Sequence, residues 1–193
     1  MCMVAQVRVY DVRTGECSSA FGLGSAADVA VHTVLVLPDK ISAELRASSS
    51  TTSSASSPGA SSGPLVLAVG RSPVAHVVTL AGAVVRTLSV GSPSERAAGL
   101  DLVAAALSPS GGLAYVASED GKAYCFDLNH PDGAQLQNTF SVVDAAGAGA
   151  DESAAPLAKR AKRSTEVLGL AHHPHRNLLA SWAAEGALRI WRP

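Results

Sequence analysis

Aromatic side chains are scarce in this chain: three Phe, three Tyr and two Trp, 4% of 193 residues. A core made from this sequence must rest on Ala, Val and Leu, which build thin walls between layers. Charge is sparse as well. Charged residues are 16% of the chain and the formal net charge is −1, so no basic field favours nucleic acid. The three cysteines, Cys2, Cys17 and Cys125, are widely separated and odd in number. They offer neither a disulfide framework nor a CxxC zinc pair, and a reducing compartment suits them. Long apolar runs are absent too. Arg71, Pro73 and His76 break the stretch from Leu65 to Val85, which falls short of the ~20 apolar residues of a membrane span. Arg8 and Asp11 interrupt the N-terminal stretch before a signal-peptide core can form. The chain reads as a soluble protein with no membrane partner.

Motifs of chemistry are missing in the same way. There is no GxxxxGK phosphate loop and no GxGxxG, and Gly111-Gly112 alone is too sparse to cradle a phosphate. Serine is abundant, yet no GxSxG elbow occurs, and no Ser stands in a recognisable order with His and Asp. Asp120 and Asp127 are single acids at a turn and a strand end. No enzyme, cofactor or small-molecule substrate is expected.

What is present is a regular alternation of apolar runs and turns. From Glu166 to Pro193 the chain reads EVLGLAHHPHRNLLASWAAEGALRIWRP. Val167 to Ala171, Leu178 to Trp182 and Ala187 to Trp191 are β-forming runs. The turns His172-His173-Pro174-His175-Arg176-Asn177 and Glu185-Gly186 separate them. Such runs bounded by Pro, Asn and Gly predict an antiparallel meander. Upstream, Leu102 to Leu107, Leu113 to Ser118, Ala123 to Asp127 and Leu136 to Val142 repeat the plan. Ser108-Pro109 aligns with His173-Pro174, Glu119-Asp120-Gly121 with Ala184-Glu185-Gly186, and Phe126 with Trp191. The period is about sixty-five residues, longer than the ~40–45 of a four-stranded repeat because of an insertion.

This order resembles the WD40 repeat, one four-stranded blade of a β-propeller. The fold expected is therefore all-β: a partial WD40 propeller of about three blades plus two strands, with disordered insertions. Residues 1–21 end one blade. Val7 and Val9 face one way there, Arg8 and Tyr10 the other, and Thr14-Gly15 turns into the return strand Glu16 to Phe21. Residues 28–90 form a second blade: Val29 to Leu37, ended by Pro38-Asp39, then Leu65 to Val69, Ala75 to Leu80 and Val84 to Ser89. Within it, 48–63 is a loop in which eleven of sixteen residues are Ser or Thr. That tract reads as an inert expansion, with regulatory phosphorylation as the alternative. Residues 101–142 are the third blade, 143–165 a basic Ala/Gly-rich insertion and 166–193 the last blade, without an outer strand. The Trp-Asp positions fall at Tyr10 and Asp11, at Phe126 and Asp127, and at Trp191, with a degenerate one near Leu80-Ala81. The count of strands falls short of an expected ~seven blades, which predicts a partial chain rather than a self-sufficient small protein.

The wording of LGLAHHPHRNLLA and ALRIWRP, together with Glu16-Cys17-Ser18, Phe21 and Leu23-Gly24-Ser25, resembles the Smu-type WD40 proteins (suppressor of mec and unc). That resemblance implies a non-catalytic scaffold of the spliceosome, acting in pre-mRNA splicing in the nucleus through spliceosomal proteins. Contact with RNA would be indirect or weak. The family's N-terminal helical region has no counterpart here. A WD40 adaptor in another pathway, such as a ubiquitin-ligase substrate receptor, is the second reading, because propellers host many functions.

Two clusters stand out beside the blades. Lys159, Arg160, Lys162 and Arg163 place four positive charges within five residues (KRAKR) in a segment without apolar period. This is a nuclear-import candidate, set against a solvated loop that keeps an Ala-rich insertion soluble. His172, His173 and His175 suit a metal by residue type, and a hydrolase built on them would need one. Turn geometry already accounts for Pro174 and Asn177, so the cluster reads as a structural turn and no metal is expected. Cys125, between Tyr124 and Phe126, reads as a buried thiol in mid-strand.

Overall fold

The computed structural model describes residues 6–23, 29–49, 63–91, 100–142, 167–184 and 186–192. A ribbon of β1 (Val7–Tyr10) and β2 (Cys17–Phe21) comes first. The second sheet holds β3 (Val31–Val36), β4 (Leu65–Gly70), β5 (Val74–Thr79) and β6 (Val84–Ser89) in that order. The third is β7 (Leu102–Leu107), β8 (Leu113–Ser118), β9 (Lys122–Asp127) and β10 (Gln135–Ser141), again in chain order. The last has three strands, β11 (Val167–His172), β12 (Leu179–Ala183) and β13 (Leu188–Trp191). Every pairing is antiparallel, and in all three larger sheets a bulge interrupts the start of the first strand. It sits at Val31/Thr33, Leu102/Ala104 and Val167/Gly169, so the repeat read from the turns recurs in the backbone.

Period-two alternation sorts the side chains between neighbouring sheets. On β4, Leu65, Leu67 and Val69 face the third sheet, while Val66 and Ala68 join Leu23 and Val78 toward the ribbon. On β8, Ala114 and Val116 face the second sheet, and Tyr115 and Ala117 face the last. On β9, Tyr124 and Phe126 divide from Ala123 and Cys125 in the same way. β4, β8 and β9 are buried on both sides, so the cores lie between sheets. The layer between the third and last sheets is rich in alanine: Ala104, Ala106, Ala117 and Ala123 are all buried in it. Few polar contacts cross these joints. His32 Nε2 pairs with the Leu102 carbonyl at 3.0 Å. Leu102 N–H donates to Ser72 O at 3.1 Å, and Arg71 meets Glu119 at 3.5 Å.

One element departs from the all-β expectation. Residues Asp39–Ser49 form helix α1, which takes in the first two residues of the tract read as the loop 48–63. Leu37, Ile41 and Leu45, four residues apart, are buried in the core between the second and third sheets. Asp39 in the first turn and Arg46 in the last suit the helix dipole. Ser42 donates to the Leu37 carbonyl and accepts from Leu65 N–H, tying the helix to β4. Residues 50–62, most of the Ser-rich tract, and the insertion 143–165 lie outside the described residues. Among the described residues no helix is long and apolar enough to cross a membrane.

A candidate partner-binding cleft between the last two sheets

The third and last sheets pack tightly where alanines meet and part where aromatic residues stand. A cleft of ≈ 350 Å³ opens there, lined by Tyr115, Cys125 and Leu179. Phe140 of β10 and Trp191 of β13 wall it, their rings 5.9 Å apart and tilted by 52°. Trp191 is held from behind, its indole N–H donating to Ser181 Oγ at 2.9 Å. Tyr115 stacks on His172 with ring centres 5.5 Å apart. Burial pushes the Tyr115 hydroxyl up to about 12, helped by the neighbouring Cys125 thiol. The Cys125 thiol is itself raised, chiefly by burial, so its neutral form is favoured and a nucleophilic role is disfavoured. His172 completes no dyad with it. The Nδ1–H of His172 donates to the His173 carbonyl at 2.9 Å.

Those residues singled out in the sequence that are described take definite places. Tyr10 is exposed at the end of β1, and Asp11 accepts from the N–H groups of Arg13 (2.7 Å) and Thr14 (3.4 Å). Phe126 is buried in the core, and Asp127 accepts from Asn129 N–H at 2.9 Å. Of these positions only Trp191 borders the cleft. Asp120 accepts from Ser118 Oγ and from Lys122 N–H and pairs with Lys122 Nζ at 3.1 Å. Burial pushes its carboxyl up, and these hydrogen bonds outweigh that, leaving it below the usual range. His173 Nδ1 accepts from the N–H groups of His175 and Arg176, both at 3.0 Å, which closes the turn. His172 points away to Tyr115, so the three histidines do not converge, and no metal-holding group of three ligands occurs among the described residues. Lys159, Arg160, Lys162 and Arg163 lie outside the described residues. The walls at Tyr115 and Phe140 and the polar rim of Asn138, Asn177 and Arg192 carry no motif in the sequence. The one local signal was Phe140, a lone aromatic in the largely polar strand QLQNTFS.

No family model matches the chain. Among solved structures it is similar to the β-propeller domain of Cps50 (Swd1) from Myceliophteria thermophila, with TM-score 0.60 and 15% identity over 98% of the chain. It is similar as well to the C-terminal WD40 domain of Sif2 (0.58, 12%, over 96%) and to a chain of the mitotic checkpoint complex (0.59, 18%, over 97%). The sheets are WD40 propeller blades. The chain spans 48%, 39% and 43% of those three chains, under half the length of each. In blade terms the cleft lies between the third blade and the last, and α1 is an insertion in the second.

Proposed function

We propose that this chain is a WD40 scaffold of the spliceosome, acting in pre-mRNA splicing by holding partner proteins rather than by catalysis. The observation that carries the reading is the last blade. Its strands fold as propeller blades do, and its wording from Glu166 to Pro193 resembles the Smu-type proteins. Rigid blades that present turns, rims and inter-blade clefts to several partners are the physical means such a scaffold has. With a net charge of −1 the chain has no field for gripping RNA, so contact with RNA runs through its partners.

The test is affinity purification from nuclear extract through a C-terminal tag, with identification of co-eluting RNA and protein. Small nuclear RNAs with spliceosomal proteins are the expected catch. Ubiquitin-ligase components without RNA would move the chain to the adaptor reading. Nuclear residence is part of the same proposal, with Lys159, Arg160, Lys162 and Arg163 as the import signal. Changing all four to Ala in a fluorescent fusion should shift it to the cytoplasm, and unchanged nuclear accumulation would refute that assignment.

A further inference from the structure

We infer that the cleft between the third and last blades binds a short peptide segment of a partner protein, one in which a carboxylate flanks an aromatic or leucine side chain. The inference deepens the partner-holding role proposed above and does not depend on the splicing assignment.

The walls set the apolar half of the ligand. Phe140, Trp191, Tyr115 and Leu179 come from four strands of two blades and leave ≈ 350 Å³ open. That is near the lower end of ligand pockets, room for one large side chain with its flanking backbone. The rim sets the polar half. Among the described residues Arg192 is the one charged residue lining the cleft, no carboxylate lines it, and the guanidinium has no hydrogen-bond or ion-pair partner. An acid in the ligand would meet it without competition. Asn177 likewise makes no side-chain hydrogen bond among the described residues. Asn138 uses only its Oδ1, accepting from Thr139 N–H at 2.8 Å. The Asn177 amide and the Asn138 NH2 at the rim offer donors and an acceptor to a peptide backbone. Because His172 donates from Nδ1 to a carbonyl, its Nε2 in the neutral ring is an acceptor, suited to a peptide N–H. One cation is too little to hold a phosphate backbone, which argues against RNA as the occupant.

The experiment titrates the 193-residue chain into dye-labelled octapeptides and follows fluorescence anisotropy. One probe carries Glu beside Leu or Phe, a second carries Gln in place of Glu, and a third carries Lys. The acidic probe should bind saturably and the Gln probe more weakly. In Arg192→Glu the acidic probe should weaken by about tenfold or more while the Lys probe gains affinity. Asn177→Trp, an exposed turn position that fills the cleft, should weaken every probe. Absence of saturable binding to a folded chain overturns the inference, and so does binding that neither variant changes. Displacement by decanoate with no preference among peptides would hand the cleft to small carboxylates and overturn it as well. Peptide binding that survives while nuclear extract yields no splicing components would refute the splicing role alone.

Discussion

Gly111 shows how much one hydrogen atom can decide. It turns from β7 to β8 at φ 76°, and a Cβ there would lie 2.5 Å from Cδ of Pro38, a rigid ring at the foot of α1. Gly15 has nearly the same φ, 73°, with nothing within 4 Å of its Cβ position. Gly15→Ala should therefore show the left-handed penalty alone, roughly 1 kcal/mol. Gly111→Ala should add overpacking and lose about 2–4 kcal/mol, read from urea midpoints at constant slope. Asp120 gives a second prediction at this scale. Its carboxyl is held below the usual range, so the stability it contributes is present above the unfolded pKa and is lost as pH falls through the folded value. Asp120→Asn should be less stable by about 1 kcal/mol at pH 7, and the difference should close below about pH 4. Equal pH profiles for the two proteins would remove the carboxylate from the account. The turn acids were legible in the sequence because a turn is local. The cleft was not: His172 and Trp191 stood out in the sequence for other reasons, and they meet Tyr115 and Phe140 only when two blades pack.

At the level of elements the strands follow the sequence closely, because alternation and Gly, Pro and Asn turns are short-range signals. Helix α1 escaped for a physical reason. Its own apolar stripe is only Ile41 and Leu45, continuing from Leu37 ahead of the helix and set among Ser, Ala and charged residues, and it follows a strand that ends just before Pro38. Spacing of four residues was present but too short to stand out. Its packing makes it part of the fold rather than an ornament on a loop. Leu45 is 1% exposed, and Leu45→Ala should destabilise by about 2–5 kcal/mol. Glu44, on the outer side and 4.0 Å from Lys40, should tolerate Ala within about 0.5 kcal/mol. Similar midpoints for the two variants would show that α1 is not docked. The helix also brings Ser48 to Arg86 of β6, whose Nη2 donates to the serine hydroxyl at 2.6 Å.

At the scale of the molecule, the described residues form a row of sheets, each leaning on the next. The outward side of the last sheet carries Leu168, Trp182, Leu188 and Ile190, exposed by 54%, 38%, 67% and 57%. A contiguous apolar side of this kind binds dyes and neighbours. Leu188→Lys with Ile190→Lys should lower the emission of a bound apolar dye and shift sedimentation toward the monomer, while leaving the buried cores intact. No change in either measurement would mean that this side is inert. The joints between sheets are the feature with the widest consequence. Among the described residues they are apolar contacts crossed by few polar ties, Ser19 to Leu80, His32 to Leu102, Leu102 to Ser72, Arg71 to Glu119 and Ser181 to Val142, whereas each sheet is held by a ladder of backbone hydrogen bonds. Under mechanical load the two respond differently, since a ladder resists until its bonds break and an apolar joint slides apart. A single molecule drawn out between a bead and a surface should lengthen in discrete steps, sheet after sheet. Such a chain can yield at one joint and keep the remaining blades whole.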